Sequence, residues 1–398
     1  VVRVSEKNIY VLLLRKNKGW FLPKGRIEKN ETGRGAALRE AFEETGIAVK
    51  KLKVISYIGD ICFVAHQPED NYATRLKTVQ FFLIETKEQQ MRPLKKDGFT
   101  HAKWFEAGEA LKKVTYASNK VILWKALKIL EKNKQSNIDT LVIAVGGDGK
   151  RISDYFKSIG FNNSKSLFPI NGMPLLKHLI RTAFSCGFKQ IFLLTSFRHK
   201  EIADFVKKEY PRNKRISIMK GRETGKIRGV AYVISLLKDD LKKPFIYSDG
   251  NVLYGSDLLR SLSSARALED SLINVVISDK DMAPTHAQYF VSGTHITDIV
   301  TRMGVSTKHV LDINAQSGRE KLYSLGVMAI DQRIFDLVPH FSKFHDIDLV
   351  VEYLFQSKLD SSVEVIGFTK YNKEWLCIHK KEDVEKANDA QHTEFLNN

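Results

Sequence analysis

The sequence predicts an α/β protein of two domains, and three observations carry that prediction. The chain has 398 residues, more than one hydrophobic core usually serves. Strand-like apolar runs alternate with helix-like runs along most of it. One polar stretch, "EKNKQSN", interrupts the alternation between an amphipathic run at 117–132 and an apolar strand at Thr140–Val145. The expected division is a first domain at 1–132, a linker at 133–138 and a second domain at 139–398.

Composition narrows the class. With 43% hydrophobic and 27% charged residues, the chain is expected to be globular rather than disordered. No apolar run reaches membrane-spanning length. The opening "VVRVSEKNIYVLLLRKN" reads as a strand, because no h-region and cleavage site follow it. Cys62, Cys186 and Cys377 show neither a disulfide nor a metal-ligand spacing, so a reduced, cytoplasmic setting is expected.

The net charge of +17 is uneven. Residues 1–135 hold 27 Lys and Arg against 15 Asp and Glu, while the rest holds 36 against 31. A basic first domain suits a polyanion such as a polyphosphate, a dinucleotide or an RNA end. The excess allows nonspecific nucleic-acid binding, yet no alternation of basic and aromatic residues marks a dedicated module.

Before the polar stretch, "NIYVLLLRK", "LKVISYIGDICFVAH" and "KTVQFFLIET" read as strands around one helix. After it come "TLVIAV", "PLLKHLIRTAFSCG", "QIFLLTS", "KEIADFVKKEY", "AYVISLLKDDL" and "PFIYSD", strands and helices in regular turn. That order predicts a largely parallel sheet with helices on both faces.

The helix of the first domain lies in "GRIEKNETGRGAALREAFEETGI", Gly25–Ile47. On a helix, Glu40, Glu43 and Glu44 fall at i, i+3 and i+4 and share one face. Three acids side by side repel, so a cation between them is expected. Mg2+ takes oxygen ligands and is usually held by a few carboxylates plus substrate phosphates. Glu31 can turn back to pair with Arg39. Gly25 permits a tight turn that exposes a backbone carbonyl, and Gly46 ends the helix.

Gly-x5-Glu-x7-Arg-Glu-Ala-x-Glu-Glu-x-Gly-Ile is complete here and resembles the Nudix box. With "WFLPKGRIE" before it and "HAKWFEAGEALKKVTYASNKVILWKAL" after it, the resemblance covers about residues 1–132. It implies an α/β/α sandwich that hydrolyses a nucleoside diphosphate linked to another moiety, X. Glu40, Glu43 and Glu44 would hold Mg2+ or Mn2+ with the Gly25 carbonyl, one of the latter two acids serving as base for the water. Arg39 and Glu31 complete the implied catalytic set. The "LPKG" lead-in is similar to members cleaving dinucleoside polyphosphates or diphosphoinositol phosphates. Lys24, Arg26 and Lys77 are the candidate phosphate contacts.

In the second domain, "VIAVGGDGKRI" and "NSKSLFPINGMPLLKHLI" resemble the glycine turn and the lysine segment of sugar-phosphate nucleotidyltransferases. "SDGNVLYGSDLL", "KLYSLGVMAIDQRIFDLV" and "EWLCIHKKEDVEKANDA" extend the resemblance over about 138–390. It implies a Rossmann-like, GT-A-like fold that binds a nucleotide or sugar nucleotide. Gly146, Gly147 and Gly149 would cradle phosphates, and Arg151 and Lys165 would neutralise them. That family holds its metal with two aspartates, where this chain departs. The first acid, Asp249 in Asp249-Gly250-Asn251, is displaced by one residue, which in a strand changes face. Cys377 stands in place of the second, and Gly225-Lys226-Ile227 replaces the base-contacting segment.

Two readings of that domain follow. One is a binding domain that transfers poorly or not at all. In the other, Asp249 still reaches a metal and Asp346 or Asp348 supplies the second ligand. For the first domain, hydrolysis of RNA 5'-ends is the alternative to a small nucleotide. His286, His295 and His309 have no ligand spacing and read as ordinary surface or pocket histidines.

Overall fold

Val11–Leu14 are all buried, inside the strand Ile9–Lys16. Successive side chains of a strand point to opposite faces, so four buried in a row need cover on both. The computed structural model describes residues 1–5, 8–67, 73–91, 99–131, 137–147, 149–196, 198–221, 229–268, 271–280, 286–293, 295–301, 319–338, 340–357 and 365–389. The chain divides into two compact units, Val1–Lys134 with Gln356–Val365, and Gln135–Phe355 with Ile366–Asn398.

In the first unit, β1 (Val2–Val4), β2 (Ile9–Lys16), β3 (Gly19–Phe21), β4 (Lys53–Gln67), β5 (Ala73–Glu85) and β6 (His101–Glu106) form one mixed sheet. The order is β3-β2-β1-β5-β4, with β6 on β2. Helix α1 (Gly33–Thr45) packs on β5, α2 (Ala107–Lys113) on β2 and α3 (Ala117–Glu131) on β4. Leu12 and Leu14 join Ala41, Ile47 and Ile84 in one cluster. Val11 and Leu13, on the alternate face, are as deeply buried. This is the α/β/α sandwich expected from the sequence.

In the second unit, β7 (Thr140–Ala144) leads through α4 (Ser153–Ser158), the small hairpin β8 (Pro169–Ile170) and β9 (Met173–Pro174), and α5 (Leu175–Ser185) to β10 (Gln190–Thr195). Helix α6 (His199–Glu209) connects to β11 (Ile216–Lys220), and α7 (Val230–Ser235) to β12 (Phe245–Asp249). Strands β11, β10, β7 and β12 are parallel neighbours, as crossover helices require. Beyond them come β13 (Val252–Tyr254), α8 (Ser256–Ser263), β14 (Ile273–Ser278), β15 (Gln288–Ser292), β16 (His295–Val300) and β17 (Glu320–Ile330). The chain closes with α9 (Ile334–Leu337), α10 (Ile347–Ser357), β18 (Ile366–Lys370), β19 (Trp375–Cys377) and α11 (Lys381–Asn388).

The main sheet runs β11-β10-β7-β12-β17-β14-β18, with β15 attached to β17 and β16 to β15. Its parallel character stops at β17, which is antiparallel to both β12 and β14. Strand β17 is buried on both faces from Leu322 to Ile330, so composition alone could not give its direction. Of the expected linker at 133–138, residues 133–136 lie outside the described residues. Ile138, at the end of that stretch, is buried in the second unit's core, and its N–H donates to the Ser263 carbonyl at 2.7 Å. No helix among the described residues is long and apolar enough to cross a membrane.

Candidate functional site

Helix α1 is fixed at both ends. Thr32, in extended conformation, accepts a hydrogen bond from the Gly35 N–H at 3.1 Å. Gly46 takes the left-handed conformation at φ 73°, and its N–H donates to the Phe42 carbonyl at 2.7 Å. The helix between them buries two carboxylates, Glu40 and Glu44, one turn apart. Burying acids on a helix face costs stability unless they are paired, so their partners matter.

Arg39 is the main partner. Its Nε donates to Glu31 Oε1 at 3.0 Å and Nη2 to Glu31 Oε2 at 2.9 Å, a bidentate fork. Nη1 donates to Glu40 Oε1 at 2.7 Å and lies 3.6 Å from Glu43 Oε2. Nη2 also donates to the Arg26 carbonyl at 2.8 Å, which ties the helix to the loop before it. These bonds hold the Glu31 carboxyl below its usual range and the guanidinium above its own. Arg39 lies within 4 Å of carboxylate oxygens of Glu28, Glu31, Glu40 and Glu43, so four acids crowd one guanidinium.

Gly25 has a different role from the one its sequence position suggests. It does not adopt a left-handed backbone, so no turn demands glycine there. A Cβ at residue 25 would sit 1.7 Å from the Glu40 carboxyl carbon. Glycine is needed because the Glu40 carboxylate lies against the backbone. Next to it, the Lys24 N–H donates to Glu44 Oε2 at 2.9 Å. Loop and helix therefore hold the two buried acids from opposite sides.

Two cavities flank this loop. One of about 670 Å³ brings Lys24, Gly25, Arg26 and Lys77 together with Glu40. Another of about 1010 Å³ brings Lys24, Gly25 and Arg26 together with Arg39, Glu40 and Glu44. Glu43 lines neither and meets Arg39 at the helix surface. The donor set is carboxylate oxygen crowded under a backbone with no Cβ in the way. Such oxygen donors suit a hard divalent cation, which Glu40, Glu43 and Glu44 could hold.

In the second unit, Gly146, Gly147 and Asp249 line a cavity of about 250 Å³ with Tyr247, Asp346 and Asp348. Burial, with Asp346 nearby, pushes the Asp249 carboxyl up to about 6 against the Tyr247 hydroxyl that donates to it. Burial and Asp346 also hold Asp348 well above the ordinary carboxylate range, although Tyr289 donates to it at 3.0 Å. Gly326, at φ 70°, lets Asp249 approach: a Cβ there would lie 2.4 Å from its Oδ2. Gly149 sits against the stem of Lys165, whose ammonium burial pulls down while Cys377 and Asp249 pull it up. Arg151 acts on the same groups electrostatically. Gly225-Lys226-Ile227 and His309 lie outside the described residues.

His286, expected to be an ordinary surface or pocket histidine, and Cys377, in place of the second aspartate, lie together with His379. His286 comes from a segment far from Cys377 and His379, so no local spacing could reveal the trio. The Cys-x-His of Cys377 and His379 was the only local signal. Asn251, two residues after the displaced Asp249, donates to Cys377 Sγ at 3.1 Å.

The first unit has the sheet, the capped acidic helix and the arginine clamp of a Nudix domain, and the second has the sheet and glycine turn of a nucleotidyltransferase. A NUDIX domain model matches residues 1–125 and a nucleotidyl transferase model residues 140–287. The chain joins these two domains, and both families generally use divalent metals. Over 134 residues it is 27% identical to the asymmetrical bis(5'-nucleosyl)-tetraphosphatase of Mus musculus, covering 33% of this chain and 86% of that protein. Over 41 residues it is 51% identical to the RNA pyrophosphohydrolase of Dinoroseobacter shibae, covering 10% and 26%. The chain spans about a quarter of the length of the first curated relatives it matches. Its fold is also similar to the inositol-1-phosphate CTP transferase of T. maritima, at TM-score 0.50 and 15% identity over 66% of this chain and 96% of that one.

Proposed function

We propose that the chain, with domains at 1–132 and 139–398, is a metal-dependent Nudix hydrolase using Mg2+ or Mn2+. It cleaves a phosphoanhydride in a nucleoside diphosphate-X substrate, with dinucleoside polyphosphates and nucleotide sugars the favoured classes. The observation that carries this reading is the Arg39 clamp. It fixes Glu31 and Glu40, and with them the acidic end of α1, beside a cavity edged by basic residues. When held there, a divalent cation supplies charge neutralisation and a more acidic water.

The chain's own residues do the rest. Lys24, Arg26 and Lys77 receive the phosphates, drawing the anion over the acids it must meet. Arg39 keeps the Glu40 carboxylate aimed at the loop. Glu43 or Glu44 takes the proton of the attacking water as its oxygen bonds to phosphorus, and the anhydride oxygen leaves on the other phosphate. The tetraphosphatase relative, matched over most of its length, supports dinucleoside polyphosphates among the candidates. The RNA pyrophosphohydrolase match favours an RNA 5'-end less, because it spans only 41 residues. A cytoplasmic setting is part of this reading.

The second domain, on this reading, binds a nucleotide or sugar nucleotide at Gly146, Gly147, Gly149, Arg151 and Lys165 and transfers weakly. The grouping of Asp249 with Asp346 and Asp348 supports the second reading, an active sugar 1-phosphate nucleotidyltransferase. Pyrophosphate release from a nucleoside triphosphate and a sugar 1-phosphate separates the two.

The deciding experiment is a phosphate-release panel with Mg2+ and Mn2+ on wild type and Glu43→Gln. It holds dinucleoside polyphosphates, nucleotide sugars, nucleoside triphosphates, diphosphoinositol phosphates and 5'-triphosphorylated RNA. A substrate turned over by wild type and spared by the variant supports the hydrolase and names X. Silence from folded, metal-loaded protein overturns it.

A further inference from the structure

Three ligand-bearing side chains meet in the second unit without forming part of its cavity. His286 precedes β15, Cys377 ends β19 and His379 follows two residues later. Their ligand atoms all lie within 4.8 Å of one another. Cys377 Sγ is 3.6 Å from His379 Nε2 and 3.7 Å from Nδ1. The two imidazole centroids are 5.2 Å apart with planes at 58°. A tetrahedral ion with a thiolate at about 2.3 Å and an imidazole at about 2.0–2.1 Å has a sulfur–nitrogen edge of about 3.6 Å. The Sγ–Nε2 separation equals that edge, while the like distance to Nδ1 sets the sulfur abreast of the ring, so the His379 imidazole turns to aim Nε2 at a shared ion.

We propose that His286, Cys377 and His379 form a binding site for a zinc-class divalent cation, separate in place and chemistry from the carboxylate site of the first unit.

The surroundings are built to aim these ligands. His286 Nδ1 lies 2.6 Å from the Ser324 carbonyl oxygen. A carbonyl only accepts, so Nδ1 carries the hydrogen and Nε2 keeps its lone pair. Ligating histidines are typically oriented by such a backbone acceptor, and this Nε2 is shielded from solvent. The His379 backbone N–H donates to Asp383 Oδ2 at 2.7 Å, fixing the chain at the second histidine. Cys377 and His379 are both buried.

Asn251 identifies the side of the cluster that attracts positive charge. Its Nδ2 is 3.1 Å from Cys377 Sγ and 3.0 Å from His379 Nε2. An amide donor facing both lone pairs stands where a cation would bind, and it must rotate away when one does. The competing explanation is a polar trio stabilised by that amide alone. Ligand type separates this site from the first unit's: one thiolate and two imidazoles select zinc-class ions, whereas carboxylates suit Mg2+ and Mn2+. Three protein ligands leave the fourth position to water or to a ligand oxygen. A cysteine ligates as the thiolate, so an ion bound here displaces the Cys377 proton to solvent.

The test is Co2+ titration of the metal-free full chain. Only cysteine sulfur yields a thiolate-to-cobalt charge-transfer band, so ions on the carboxylates of α1 remain silent in that region. Expected is a band saturating at one Co2+ per chain, displaced by one Zn2+, absent in Cys377→Ser and retained in Cys186→Ser. His379→Gln should weaken Co2+ binding at least tenfold. No band from folded wild type at millimolar Co2+, or a band that survives Cys377→Ser, overturns the proposal. Because the wild-type titration decides the first of these, misfolding of a variant does not protect the idea.

Discussion

The acids of the first unit and those of the second are managed in opposite ways. Glu31, Glu40 and Glu43 share one guanidinium on a single capped helix, and bonds to Arg39 keep Glu31 ionised. Asp249, Asp346 and Asp348 come from two elements and the turn before α10, and burial with mutual repulsion raises Asp249 and Asp348. The first arrangement presents charge to a cation. The second stores it, with a tyrosine hydroxyl donating to Asp249 and another to Asp348. An acid that a protein keeps charged beside a basic cavity is ready for phosphoryl chemistry; an acid close to neutral needs a cation before it can contribute.

The largest expected effect belongs to the ionised side. Glu44→Gln keeps the side chain's volume and removes its charge, and turnover should fall about 10²- to 10⁴-fold, read by phosphate release. Gly25→Ala comes next. A methyl at residue 25 collides with the Glu40 carboxylate, and displacing that group by about 1 Å should cost about 100-fold in kcat. An unchanged circular dichroism spectrum would attribute the loss to the site rather than to unfolding. Arg39→Lys keeps one charge but loses the fork on Glu31. It should weaken metal dependence or activity about 10- to 100-fold, visible as a raised Mn2+ requirement.

On the other side the expected effects concern stability. Asp249 has a folded pKa raised from 3.8 to about 6, so the folded chain favours its neutral form. Its contribution is fully present below pH 3.8 and is lost as pH rises to about 6. Asp249→Asn should therefore raise the melting temperature at pH 8 and leave it nearly unchanged at pH 4. An equal shift at both would mean the acid is not strained in the fold. The smallest effect is Gly46→Ala, which forces a Cβ into a left-handed cap and should cost about 1 kcal/mol in denaturant melts.

Legibility followed contiguity. Helix α1, its caps, the acidic face and the Glu31–Arg39 pair all lie within Gly25–Ile47, where local periodicity and capping rules apply. The role of Gly25 was not legible, because it depends on where the Glu40 side chain folds back. The parallel start of the second sheet followed from alternating strands and helices. The antiparallel entry of β17 did not, since a strand buried on both faces carries no directional signal. Of the His286–Cys377–His379 cluster only the Cys-x-His pair is local; pairing of β13 with β19 brings Cys377 to Asn251, and no spacing in the chain records that contact or His286.

The first measurement to make is kcat/KM for a dinucleoside tetraphosphate with Mn2+, on wild type and Glu43→Gln side by side, with metal binding and folding checked for both. The expected result is turnover by wild type that Glu43→Gln reduces at least 100-fold while both remain folded. Equal turnover by the two proteins would contradict a hydrolase built on the acidic face of α1.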